Sequence, residues 1–119
     1  MLAGMSEVPM REPTFLVLTA LAEEPRHGYA VIEDVSALTG GRVRLRAGTL
    51  YAALDRLRAD GLIEVDREEI VQSRLRRYYR LTATGERSLA AETARLREQA
   101  AIADRRLRAR RADLGGATA

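Results

Sequence analysis

With 119 residues, 46% of them apolar, the chain has room for one domain and an appended element but not for a second full core. It contains no cysteine and a single histidine, His27, which excludes disulfides, thiolate catalysis and any metal site built from cysteine or several histidines. All 20 basic residues are arginine and the net charge is +3, but the sign changes along the chain: residues 1–41 hold two Arg against six acids, and residues 42–80 hold ten Arg against six.

Residues 1–12, with Gly4, Ser6 and Pro9, show no periodicity and are expected to form a flexible arm. They lack the basic, apolar, small-residue order of a signal peptide, and no apolar run approaches the roughly 20 residues of a membrane span. The expectation is a cytoplasmic protein with no membrane contact. Pro13 suits the first turn of a helix, and Phe15, Leu18, Leu21 and Ala22 recur at three and four residue steps, which predicts a helix over 13–22. A break over 23–26 follows.

After His27 and Gly28, the residues Tyr29, Ile32, Val35 and Leu38 share one helical face until Thr39, Gly40 and Gly41 end the run. The short basic linker with Arg42, Arg44 and Arg46 leads to a third helix over 47–60, in which Leu50, Leu54 and Leu57 form the inner face and Gly61 supplies the C-terminal cap. Its outer face carries Thr49, Tyr51, Ala52, Asp55, Arg56 and Arg58.

The period then changes to two at Ile63 and Val65, and a second alternating run spans Arg76 to Leu81, which predicts a hairpin. Its connection over 67–75 is longer than a tight turn and should project from the body. From Thr84 to Ala112 the helical period resumes. Leu89, Thr93, Leu96, Ala100, Ala103 and Leu107 fall on alternating four and three residue steps, with Leu114 a further seven on, the pattern of a seam that pairs with another helix. Residues 113–119 are expected to be a disordered tail.

The expected fold class is mainly α with a small β-hairpin: a winged helix-turn-helix over 13–83 and a dimerisation helix over 84–112. A helix enters the major groove of B-DNA only if its inner face is anchored on other helices, and Leu50, Leu54 and Leu57 provide that anchor. Candidate phosphate contacts are Arg42, Arg44, Arg46, Tyr51, Arg56, Arg74, Arg76 and Arg77. Base reading falls to Thr49 and Ala52, with Arg46 suited to guanine. This direct-readout set is thin, so DNA shape is expected to contribute. Leu89, Leu96, Ala100, Ala103 and Leu107 are the candidate dimer contacts.

The segments His27-Gly28-Tyr29, Gly48-Thr49-Leu50-Tyr51, Gly61-Leu62-Ile63 and Tyr78-Tyr79-Arg80-Leu81-Thr82 through Gly85, with Leu54 and Leu57 between them, together resemble the PadR family of transcriptional regulators. The resemblance covers roughly residues 13–107. It implies a winged helix with a C-terminal dimerisation helix, bound as a homodimer to palindromic operators, usually repressing, and often released by a small molecule. The single long helix looks like the shorter of the family's subtypes. Ala47 and Ala52 stand where the family commonly has proline. The family's Trp-lined drug pocket does not carry over to a chain without Trp. The partners expected are therefore double-stranded DNA, a second copy of the chain and a small apolar effector.

Other features read more plainly. His27 is expected to cap the second helix rather than to act in catalysis. One of Tyr78 and Tyr79, which point to opposite faces of a strand, should be core. The arginines at 105, 106, 108, 110 and 111 form a solvated helix end. Glu68 and Glu69 in the wing run against DNA binding. No carboxylates are spaced as a general acid and base, and no phosphate loop is visible, so neither enzymatic activity nor a cofactor is expected. The alternative to a DNA-binding regulator is a protein-interaction module on a winged-helix scaffold.

Overall fold

Helix α1 spans Glu12–Ala20 and starts without a side-chain cap at Arg11, where Pro13 in the first turn sets the backbone for helix entry. The computed structural model describes residues 9–118. The first eight residues of the expected arm lie outside the described residues. Met10, placed in the arm by the sequence, packs instead against the hydrophobic core, and its N–H donates to Glu92 Oε2 at 3.3 Å.

Strand β1, Arg26–His27, occupies part of the expected break, and Arg26 Nε donates to Ala20 O at 2.8 Å, which fixes the return of the chain from α1. Two residues carry no periodic signal, so nothing in the sequence marked this strand. Helix α2, Gly28–Leu38, begins at once. His27 Nδ1 accepts the N–H of Ala30 at 3.3 Å, the cap expected of it. Helix α3, Ala47–Ala59, ends at Gly61, whose φ of +75° only glycine adopts freely.

The wing is more regular than expected. Strands β2, Ile63–Val71, and β3, Arg74–Leu81, pair antiparallel all the way to a two-residue turn at Gln72 and Ser73. The expected long connection over 67–75 is therefore corrected to continuous ladder. Gln72 and Ser73 both adopt left-handed φ, +51° and +65°, as a tight hairpin turn of matching twist requires. No glycine marked it, and polar residues on both faces of the outer ladder hid the two-residue period. A bulge at Asp66, between Val65 and Arg67, shifts the register. The sheet order is β1-β3-β2.

Val17 and Leu18 from α1, Leu21 just after it, Val31 and Val35 from α2, Leu50, Leu54 and Leu57 from α3, and Ile63 and Tyr79 from the sheet form one buried cluster. Tyr79 is thus the core member of its pair. Helix α4, Ala83–Thr118, is locked to this body at its start. Thr82 Oγ1 accepts the N–H of Gly85 at 3.0 Å and donates to Gly61 O at 2.7 Å. A Cβ at Gly85 would lie 1.9 Å from Leu62 O, so only glycine permits the approach.

The 36 residues of α4 reach about 54 Å at 1.5 Å per residue, which accounts for a molecule of 71 × 39 × 22 Å. Helix continues through residues 113–118, where a disordered tail was expected. Leu89, read as a dimer contact, packs on the chain's own core.

Candidate nucleic-acid interface

The three buried leucines of α3 pin one side of the helix to α1 and α2, and this turns Thr49, Tyr51, Ala52 and Asp55 outward. Tyr51 and Asp55 then face the wing across a groove of about 600 Å³, closed at one end by His27, Gly28 and Tyr29 and walled on the other side by β3. A groove with a helix on one side and a hairpin on the other matches a nucleic-acid backbone better than a small molecule, because it is open and polar along its length.

Charge in the wing is sorted by pairing. Arg77 Nε donates to Glu68 Oε2 at 2.8 Å, and that bond raises the already high pKa of Arg77. Arg80 bonds Glu64 at 2.8 Å and Asp66 at 3.3 Å, while Arg67 reaches Asp66 at 3.2 Å and Glu69 at 3.5 Å. The guanidinium of Arg67 also lies 3.8 Å from the centre of the Tyr78 ring, which meets His27 edge-on. The acids at 68 and 69 are therefore absorbed by wing arginines. Arg74 and Arg76, both on the groove, have no carboxylate partner among the described residues.

The remaining candidates are dispersed. Arg46 is exposed at the N-terminus of α3, beside Thr49. Arg44 leans back to donate to Gly41 O at 3.3 Å, and Arg42 pairs with Glu12 at 3.4 Å. Arg56 lies on a different cleft, of about 950 Å³, between the start of α1, the end of α3 and α4. The structure thus brings Tyr51, Arg74, Arg76 and Arg77 together at the groove, with Arg46, Thr49 and Ala52 on the adjacent exposed start of α3. It places Arg44 and Arg56 elsewhere.

Sequence reasoning had no means of finding Gly28 as a groove residue. A Cβ there would sit 2.5 Å from Tyr51 Oη, a contact between residues 23 positions apart. His27 is held below its ordinary pKa by desolvation first and by Arg76 second, against the opposing pull of Glu33 and Glu69.

The family profile described as "Transcriptional regulator PadR-like family" matches residues 17–91, which takes in the last turn of α1, all of α2 and α3, the whole wing and the start of α4. The chain belongs to the PadR-like family of transcriptional regulators. This is a family of regulators and not of enzymes. The PadR-like chain is 38% identical over 84 residues to the transcriptional regulator Rv3488 of Mycobacterium tuberculosis, covering 71% of this chain and 75% of that one. It is 30% identical over 70 residues to an uncharacterised protein of Lysinibacillus sphaericus, with 59% of this chain and 64% of that protein covered.

In fold it is similar to Bacillus subtilis PadR, solved in complex with operator DNA, with a TM-score of 0.61 at 22% identity over 67% of this chain. The match spans 46% of the Bacillus chain. The fold of this PadR-like regulator is accordingly a winged helix with a long C-terminal helix. No helix among the described residues is long and apolar enough to cross a membrane.

Proposed function

We propose that this PadR-like regulator binds double-stranded DNA in a sequence-specific manner and represses transcription as a homodimer on an inverted-repeat operator. The observation that carries the reading is the groove between α3 and the wing, whose lining includes Tyr51 together with Arg74 and Arg76, two arginines without carboxylate partners among the described residues. Uncompensated guanidiniums lining an open groove attract phosphate, and the exposed start of α3 with Arg46, Thr49 and Ala52 then reaches base edges in the major groove. The operator complex of the Bacillus relative supports the same use of the fold. Such a protein works in the cytoplasm, where the DNA is.

The domain division that fits is a DNA-binding unit over 13–83 and a dimerisation helix from residue 84. Its support is the uncovered length of α4: Leu96, Leu107 and Leu114 are 38, 47 and 56% exposed, on the same face as Leu89, Ala100 and Ala103. Pairing of two such faces places two copies of α3 about one DNA turn, roughly 34 Å, apart. A small apolar effector acts by entering between α1 and α4 and changing that spacing; the cleft of about 950 Å³ beside Met10 and Ala91 is the space available to it.

Fluorescence anisotropy of a labelled duplex from upstream of the chain's own coding region, titrated at several salt concentrations beside a scrambled duplex, tests the reading. Preferential binding with a steep salt dependence is the expected result. Equal binding of both duplexes, together with failure to select any site from a random pool, refutes sequence-specific regulation.

A further inference from the structure

Arg97 is an exposed cation that its own helix does not neutralise. The positions three and four residues away are Thr93, Ala94, Ala100 and Ala101, and no carboxylate among the described residues pairs with it. It stands beside Leu96, where the seam of α4 leaves the chain's own core and becomes bare. From Leu96 to Leu107 the bare seam is about 18 Å long at 1.5 Å per residue, with Ala100 and Ala103 between the two leucines.

A second copy fits this seam in one orientation. The body that packs on Leu89 fills the space beside the root of α4. In a parallel pair two bodies would compete for that place, whereas each of two antiparallel helices meets only the bare end of the other. Side chains give the same answer. Parallel alignment puts Arg110, the next step of the seam after Leu107, against its own copy, and Arg106 beside the partner's Arg111. It offers Arg97 only Glu92, which is buried and already held by Arg95 and the Met10 N–H. Antiparallel alignment about an axis between residues 101 and 102 sets Leu96 on the partner's Leu107 and Ala100 on its Ala103, large on large and small on small. The same register brings Arg97 to the partner's Asp104, and Asp104 to the partner's Arg97. Asp104 gives Oδ2 to Arg108 of its own chain, which leaves Oδ1 for this contact.

We infer that Arg97 and Asp104 select the partner of α4: a second copy of this chain, held antiparallel by two symmetric ion pairs, with Arg110 excluding the parallel alternative. This rests on the homodimer reading above. A chain of similar fold without this acid and base would still meet the leucines but would lose both ion pairs, so mixed pairs are disfavoured.

Charge swaps in the full chain test it. Arg97→Asp and Asp104→Arg each set like charges against one another twice, and each should weaken self-association about tenfold in sedimentation equilibrium with circular dichroism unchanged. Mixed in equal amounts, the two variants make a heterodimer in which both contacts are again opposite in charge. Native mass spectrometry, which resolves the variants by mass, should show that heterodimer well beyond its statistical proportion. Statistical mixing, or wild-type self-association in both variants, overturns the inference while leaving the dimer intact. Weakening in Arg97→Asp alone, without rescue by mixing, assigns the parallel pair with Glu92 and overturns it as well. A wild-type chain that stays monomeric both free at micromolar concentration and on a selected operator sinks the homodimer reading itself and the orientation with it.

Discussion

Tyr51 Oη occupies the space that a side chain on residue 28 would need: a Cβ there would lie 2.5 Å from the hydroxyl and 2.8 Å from Cζ. The first residue of α2 and the outer face of α3 are thus fitted to each other at the groove. The clash is with the far end of a half-exposed side chain, so Gly28→Ala is expected to swing the ring outward rather than to unfold the domain. The stability cost should be about 1 kcal/mol. DNA affinity should fall about tenfold, because the hydroxyl leaves its position beside the wing. Tyr51→Phe separates the ring from its hydroxyl. Operator affinity at wild-type level in Gly28→Ala would show that Tyr51 makes no contact with DNA.

Arg77 and Glu68 form a 2.8 Å pair on the outer wing, and this separates Arg77 from Arg74 as a source of attraction for phosphate. From the sequence the two arginines are equivalent, and both would be expected to weaken binding when removed. The pairing separates them. Arg74→Ala flattens the salt slope, while Arg77→Ala changes the slope little because Arg77 is already neutralised by Glu68; affinity still falls, since the uncovered Glu68 repels the backbone. Glu68→Gln should steepen the slope by about 1 and tighten binding to all duplexes alike. A slope that is flatter in Glu68→Gln would mean that the acid organises the wing rather than masks it.

The body of the fold was legible because its apolar periods are local: Leu50, Leu54 and Leu57 need only 3.6-residue geometry to announce a buried face. The YYRLT segment and Gly85 were recognisable as a pattern, yet their physical reason lies in contacts the sequence does not display, with Thr82 bonded to Gly61 and Gly85 pressed on Leu62 O. The wing was read too short because Glu68, Glu69, Arg76 and Arg77 present charge on both faces and erase the alternation that marks a half-buried strand. For the site, residue types pointed to the right surface, but pairing is a matter of register. Only the ladder brings Glu68 to Arg77 and leaves Arg74 and Arg76 available. Arg56 shows the limit from the helical side: its spacing from Thr49 and Ala52 suggested one face, while the curvature of that face carries it to the cleft with α1 and α4.

His27 caps α2 through Nδ1, which must be unprotonated to accept the N–H of Ala30. Its pKa in the fold is depressed, by desolvation and then by Arg76, below the ordinary value near 6.5. The unfolded chain therefore takes up the proton first as pH falls. The stability that the neutral imidazole contributes is present above about pH 6.5 and is lost as pH drops below it. The denaturant midpoint should decline between about pH 7.5 and 5, and His27→Asn, which keeps a capping oxygen, should flatten that decline. Glu92, lowered by its hydrogen bond to Arg95 and then by the Met10 N–H, loses its contribution only below the ordinary carboxylate range, so the two windows separate. An unchanged decline in His27→Asn would assign it to another group.

The face of α4 that bears Leu89 is covered by the chain's own core as far as Arg95 and bare from Leu96 onward. A helix of this length is poorly stable alone in water, where pairs such as Asp104 with Arg108 add only a few tenths of a kcal/mol each. In the proposed homodimer, two chains that exchange this face continue the burial the core began. Leu107→Asp should convert the dimer to monomer at micromolar concentration in light-scattering chromatography and weaken operator binding, because the two half-sites are no longer held by linked subunits. Ile102 is the discriminating control. It is 44% exposed against 47% for Leu107, but it sits roughly 120° round the helix from the seam at 100° per residue. Exposure alone predicts equal effects of the two aspartates; the seam predicts that Ile102→Asp stays dimeric. Dissociation by Ile102→Asp with retention of the dimer in Leu107→Asp would place the interface on the other face of α4.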